Sequence, residues 1–260
     1  MNLIPTGTPL VLVNAFPVDR SQWEPLIAEL ATLEAPIGDI IAFDVPGIGD
    51  MPIPDEEPSL DLIAEAATLA MREVTGYQAA LWAGCSMGGY IAMAVAQHHA
   101  DAVAGLVLID TKASADSPQA LAKRREIAAA HDGKPGTPDA VDMAEGLIGT
   151  QGEGRAELVS WVAANISRHK GDGIAWGQRA MAARPDRLAI LAGLDVPAVV
   201  VRGDSDQIAS DADAQAMAEA LGVEVVTIAG VGHLAGLEAP AEVARLVARV
   251  ARDIAPAHRA

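Results

Sequence analysis

The chain has 260 residues, 51% of them apolar, with 35 acidic against 18 basic residues and a formal net charge of −17. That length buries one substantial core, and that charge argues against nucleic acid or an anionic membrane surface as a partner, since phosphate would be repelled. No apolar run reaches the ~20 residues that cross a bilayer, Met1–Thr6 carries no basic segment or apolar signal core, and the single cysteine suits a reducing, cytoplasmic setting.

In chain order, short apolar runs alternate with helical patterns. Pro9–Val13 is the first predicted strand, followed by a helix over Trp23–Leu33. Asp39–Phe43 is the second, ending in Asp44, which would brace the loop Pro46-Gly47-Ile48-Gly49. A Pro-rich stretch over Pro52–Pro58 leads to a helix over Leu60–Thr75. The third strand, Ala79–Ala83, runs into Gly84-Cys85-Ser86-Met87-Gly88 and a helix over Met87–His98. Ala104–Ile109 is the fourth strand. The next one, Ala198–Val201, begins 89 positions later, far more than a crossover helix needs. Helical patterns fill the gap at Pro118–His131, Pro138–Leu147, Glu153–Ser167 and Gly173–Ala183, and Asp186–Leu194 returns to the main sheet. A helix over Asp211–Leu221, a sixth strand over Glu224–Ile228 and a helix over Ala241–Asp253 complete the chain. Buried strands alternating with helices predict an α/β fold, a mostly parallel sheet of about six strands flanked by helices. Residues 1–112 and 186–260 would form its core, and 113–185 a helical cap inserted after the fourth strand. Only nine residues precede Leu10, too few for an antiparallel hairpin ahead of the first strand.

The strand–turn–helix around Ser86 carries the chemistry. A turn built from Gly84 and Gly88 holds Ser86 in a strained conformation at the carboxyl edge of the sheet, with a helix amino terminus behind it. A serine hydroxyl attacks well only when a base takes its proton and a third group orients that base. Histidine titrates near neutrality and supplies the base. Of His98, His99, His131, His169, His233 and His258, only His233 follows the last strand, on the loop Gly230-Val231-Gly232-His233. For the acid, Gly203-Asp204-Ser205-Asp206 leaves the fifth strand with two carboxylates. Asp206 can reach His233, while Asp204 is placed to pin the turn. Asp110, ending the fourth strand, is the rival. Cys85 reads as a small buried residue on the inner side of the turn.

The order Ser86, Asp206, His233 is that of the α/β-hydrolase arrangement, and the chain resembles the α/β-hydrolase superfamily over nearly its full length outside the cap. Gly84-Cys85-Ser86-Met87-Gly88-Gly89 is similar to that family's nucleophile turn. Gly203-Asp204-Ser205-Asp206 resembles its acid loop, Gly230-Val231-Gly232-His233 with Glu238-Ala239-Pro240 its histidine loop, and Asp44-Val45-Pro46-Gly47-Ile48-Gly49 the loop after its second strand here. The resemblance implies an oxyanion hole from the backbone N–H groups of Met87 and Phe16. The segment Asn14-Ala15-Phe16-Pro17 departs from the His-Gly that relatives often carry there. Losing one oxyanion donor costs about 2.7–4 kcal/mol of barrier.

Pocket walls are expected from the cap and from the loop around Phe16, with Asn14, Trp161 and Trp176 as candidates. Arg124, Arg125 and Arg179 could meet a carboxylate, though arginines commonly coat solvated helices. Few aromatics among many aliphatic residues point to a small, mostly apolar carboxylic ester or lactone, cleaved through an acyl-serine without cofactor or metal. Peracid formation of the cofactor-free haloperoxidase kind and carbon–carbon bond hydrolysis are the enzymatic alternatives. A non-catalytic small-molecule receptor on the same fold is the alternative of another class.

Overall fold

A computed structural model describes residues 7–254. The apolar runs form strands β1 (Thr8–Val13), β2 (Ile37–Phe43), β3 (Ala80–Cys85), β4 (Val103–Ile109), β5 (Ala198–Gly203) and β6 (Val225–Ile228). They make one sheet in the order β2-β1-β3-β4-β5-β6, with every neighbouring pair parallel. β1 and β3 lie in its middle and are buried at every position, so their sequences show no polar alternation. β2 is an edge strand, half-buried throughout, and begins two residues before the predicted Asp39.

The helices are α1 (Glu24–Leu30), α2 (Leu60–Thr75), α3 (Met87–His98), α4 (Pro118–His131), α5 (Ala140–Leu147), α6 (Arg155–Ser167), α7 (Gly171–Ala182), α8 (Leu188–Ala192), α9 (Asp211–Leu221), α10 (Ala235–Glu238) and α11 (Pro240–Asp253). Side chains alternate along the strands, so the two faces of the sheet build two cores. Val11, Val13 and Trp82 pack with Leu60, Met71 and Ile91 of α2 and α3 on one face. Leu10, Leu12 and Leu81 pack with Leu26, Val243 and Val247 of α1 and α11 on the other. Ser59, Ser117 and Ser210 cap the amino ends of α2, α4 and α9, and left-handed Gly76 and Gly222 close α2 and α9. α1 stops short of the predicted Leu33 because Thr32 and Leu33 bond back three residues, to Glu29 and Leu30, in a tightened last turn. None of these helices is long and apolar enough to cross a membrane.

Two features position the site. First, the register sets Cys85 opposite Ile109 and Ile109 opposite Val201, while Gly203 faces Ile228. Residues 86 and 110, and the loops beginning at 204 and 229, therefore all leave the same edge of the sheet. Second, α4–α7 fall between β4 and β5, with α4 packed on α7 and α5 on α6.

Candidate active site

Ser86 sits between β3 and α3 at φ 53°, ψ −115°, a region that side-chain-bearing residues rarely occupy. Its neighbours hold it there. The Ser86 N–H donates to the Ile109 carbonyl at 2.9 Å, and its carbonyl accepts from Thr111 Oγ1 at 2.7 Å. A Cβ on Gly88 would lie 2.0 Å from the Val13 carbonyl oxygen, and one on Gly84 would lie 2.3 Å from the Gly88 backbone. Only glycine lets the first turn of α3 approach β1 and β3 this closely.

His233 follows β6 and is buried. Its Nδ1 is 2.9 Å from Asp206 Oδ2, which fixes the proton on Nδ1 and leaves Nε2 as the basic nitrogen. Asp206 is oriented in turn by the Ile208 N–H at 2.8 Å and the Ala209 N–H at 3.2 Å. Ser86 and His233 both line one cavity of about 610 Å³. Among the described residues no hydrogen bond joins Ser86 Oγ to His233. Such bonds are often long in unliganded enzymes and tighten with substrate.

Asp110 does not reach the imidazole. Its Oδ1 accepts from the Gly203 N–H at 2.7 Å and its Oδ2 from the Ala235 N–H at 3.1 Å, so it ties the end of β5 to the segment after His233. Burial pushes its carboxyl up to about 7, and the nearby Asp206 adds to that; His233 and the two N–H donors oppose it. Asp204 pins the turn, accepting from the Gly230 N–H at 2.8 Å. Asp44 holds Arg20 through its backbone N–H and guanidinium, at 2.7 and 2.6 Å, and packs against Gly49. The Cys85 thiol donates to the His233 carbonyl at 3.3 Å; burial, and then the surrounding carboxylates, push it well up, so it stays protonated.

Met87 begins α3, and its N–H has no acceptor within the helix. Phe16 lines the cavity in the loop after β1, with its ring against Gly177. Ala15 is not among the positive-φ residues, so this loop does not need the glycine of the relatives. The three pocket candidates lie elsewhere. Asn14 is fully buried beneath the loop and donates to the Val18 carbonyl. Trp176 is packed in the core with Phe16 and Ile48, and Trp161 stands on the outer side of α6, 37% exposed. Their place in the predicted cap suggested that the two tryptophans wall the cavity, but the faces of α6 and α7 that pack inward determine which residues line it.

The lining instead comes from α4, α5 and α7 opposite Ser86, including Ile127, Met143, Leu147 and Met181 among apolar groups. Lys112, Arg124 and Gln178 add polar groups that the sequence reading did not foresee together, since their convergence depends on α4 packing on α7. Arg124, Arg125 and Arg179 do converge, along a smaller cleft of about 250 Å³ that shares Arg124 and Gln178 with the main cavity. A further residue of consequence is Glu238. Its carboxylate accepts from the Gly149 and Thr150 N–H groups at 2.9 and 2.7 Å, and from those of Gly232 and Leu234 at 3.0 and 3.3 Å. It clamps the α5–α6 connection to the histidine loop, and the His233 N–H donates to the Leu147 carbonyl at 2.9 Å beside it. The described residues hold no cluster of three or more His, Cys, Asp or Glu that could bind a metal.

A fold of six parallel strands with a serine turn and a histidine loop at one edge defines a class, and the chain belongs to the alpha/beta hydrolase family, whose profile matches residues 10–246. Among solved structures, a thermophilic esterase from Thermogutta terrifontis is 30% identical, covering 95% of this chain and 90% of that one with a TM-score of 0.83. The enol-lactonase from Burkholderia xenovorans LB400 is 23% identical, with coverage of 94% and 91% and a TM-score of 0.72. An esterase from Exiguobacterium antarcticum is 17% identical, with coverage of 96% and 93% and a TM-score of 0.79. The last two share the fold. No curated protein matches the chain.

Proposed function

We propose that this hydrolase is a serine esterase or lactonase acting on a small, mostly apolar acyl substrate, with residues 113–185 serving as a cap over Ser86. The observation that carries the reading is Ser86 at positive φ in the cavity that also admits the Asp206-bound His233. In this reading His233 Nε2 takes the Ser86 proton as Oγ adds to the substrate carbonyl. The Met87 and Phe16 N–H groups hold the resulting oxyanion. His233 then protonates the leaving alkoxide, and an acyl-Ser86 ester remains. Water, deprotonated by His233, adds to that ester and releases the acid and free Ser86. In a lactone the alcohol stays tethered to the acid throughout. The Thermogutta terrifontis esterase supports ester cleavage as the parent reaction, and the apolar side chains of α4, α5 and α7 suit a hydrocarbon acyl group.

The test is steady-state hydrolysis of p-nitrophenyl esters from acetate to decanoate by the wild type and Ser86→Ala. Loss of the nucleophile in a working triad costs about a million-fold in kcat, well beyond contamination. Turnover that vanishes in Ser86→Ala supports the reading, and the chain-length optimum sizes the cavity. Turnover that persists in the variant, or none on any ester or lactone, overturns it; tight stoichiometric binding without turnover would then mark a receptor.

A further inference from the structure

The chain carries 35 acidic residues and only four lysines, yet two of those lysines, Lys112 and Lys123, line the cavity that holds Ser86. Asp116 explains part of this. Its carboxylate is buried and receives both Nη atoms of Arg184, at 2.9 and 2.7 Å, in a two-pronged pair. That one pair already neutralises it. Nevertheless Arg124 Nε also donates to Asp116, and Lys112 Nζ lies 3.2 Å from it. One buried carboxylate thus gathers three cations, and two positive charges are left over. Burial alone would raise the Asp116 carboxyl, but the Arg184 and Arg124 hydrogen bonds outweigh it and hold it well below the usual carboxylate range.

The surplus faces the cavity. Arg124 Nη1 donates to Gln178 Oε1 at 3.0 Å, while Arg124 Nη2, Gln178 Nε2 and the Tyr90 hydroxyl have no protein partner among the described residues. Lys112 Nζ uses one of its three N–H groups. Of the other charges on this wall, Lys123 pairs with Glu126 at 3.1 Å, and Asp142 of α5, exposed and lining the same cavity, offsets one of the two surplus charges and leaves the other. The place of these donors relative to Ser86 follows from α3. Tyr90 lies one helical turn, about 6 Å, along that helix from Ser86, and Arg184 stacks on its ring 4.1 Å from the centroid. Arg124 is shared with the cleft that Arg125 and Arg179 line; Arg179 is paired with Asp132, and Arg125 extends positive charge outward from the cavity on a protein that otherwise repels anions.

Building on the hydrolase reading, we propose that the substrate is an ester or lactone with an apolar middle and a carboxylate at its far end, received by Lys112 and Arg124 with Gln178 and Tyr90 as further donors. Ser86 then acts on one end of the molecule while the cationic wall fixes the other. This orients the carbonyl and selects against neutral esters of the same length.

The test compares p-nitrophenyl hexanoate with the mono-p-nitrophenyl ester of adipic acid, which differs by a carboxylate in place of the terminal methyl. A charged hydrogen-bonding group is worth roughly tenfold or more, so the adipate ester is expected to lead in kcat/KM by about that factor. The ratio should fall by about tenfold in Arg124→Gln and in Lys112→Gln, and should shrink at high salt in the wild type. Lys112→Gln carries the test if Arg124→Gln does not fold. Equal rates, a lead for hexanoate, or a ratio unmoved in a folded variant would overturn the proposal. Calorimetric binding of monomethyl adipate against its neutral isostere methyl hexanoate, both to Ser86→Ala, separates it from the hydrolase reading. Adipate preference lost in the variants, with neither ester cleaved, would retain the anion site and remove the esterase. Absence of monomethyl adipate binding together with absence of cleavage would remove both.

Discussion

Asp110 and Asp206 leave adjacent strands at the same edge of the sheet, and only their hydrogen bonds separate their roles. Asp206 meets the imidazole; Asp110 is consumed by two backbone N–H groups. Asp206→Asn should therefore lower kcat on the order of ten-thousand-fold, because the imidazole loses its tautomer. Asp110→Asn should keep most of the turnover, and the reverse result would move the orienting role to Asp110. The Asp110 carboxyl titrates near 7 in the folded chain against an ordinary value of 3.8, so the folded state keeps a proton that the unfolded state releases. Its contribution to stability is complete below about pH 4 and is lost as pH rises through about 7. Urea unfolding followed across that range should show stability falling with pH in the wild type and a flatter profile in Asp110→Asn. An unchanged slope would assign the titration to another group. That Asp206 would be the carboxylate to meet His233 was legible from its place along the loop. The function of Asp110 was not, because it depends on the backbone of β5 and of the segment after His233.

Helices and strands emerged from the sequence to within a few residues, since burial on both faces and serine or glycine caps leave local marks. Contacts between elements leave fewer. The glycine at 88 was foreseen as part of a tight turn, but its closeness to β1 is a property of the packed pair. Gly88→Ala would place a methyl 2.0 Å from a backbone oxygen that cannot move aside. We expect a loss of at least about 1–3 kcal/mol from such overpacking, seen as a lower denaturation midpoint. A wild-type midpoint would mean α3 can shift away from β1 without cost. In the sequence Glu238 stands in a motif beside the histidine loop, and nothing local shows its task. Its carboxylate serves four backbone N–H groups from two segments, and an amide in its place would set an NH₂ against some of them. Glu238→Gln should cost about 1–3 kcal/mol of stability and lower kcat more than it raises KM, since His233 lies between two of the donors. Full wild-type stability and kcat would deny the clamp.

Across the whole molecule, the order of Ser86, Asp206 and His233 and the parallel sheet were readable because strand ends are points along a line. Which residues wall the cavity was not readable, because α4–α7 meet Ser86 through helix faces whose rotation the sequence leaves open. In the sequence Trp161 and Trp176 stand in the predicted cap where either could face Ser86, yet Lys112, Gln178 and Met181 supply the wall. The same architecture predicts where the chain can be cut. Gln151–Gly154 and Asp55–Glu57 are exposed, whereas Glu238 is half-buried and bonded. A glutamate-specific protease should cleave early at Glu56 and Glu153, with fragments that separate only in denaturant. Early cleavage after Glu238 would show that the clamp opens.

The 88 residues between the end of β4 and the start of β5 have a consequence for how this protein can change over generations. Joining those two strands closes a long loop, and the entropy of closure grows only with the logarithm of its length; doubling it adds about 0.6 kcal/mol. Stretches of α4–α7 can thus be lengthened, shortened or exchanged while the register that sets Ser86 opposite the later loops stays as it is. On the proposed reading the reacting groups lie outside α4–α7 while much of the cavity wall lies within them, so a lineage can acquire new substrates by rewriting that wall and leaving the reacting groups untouched.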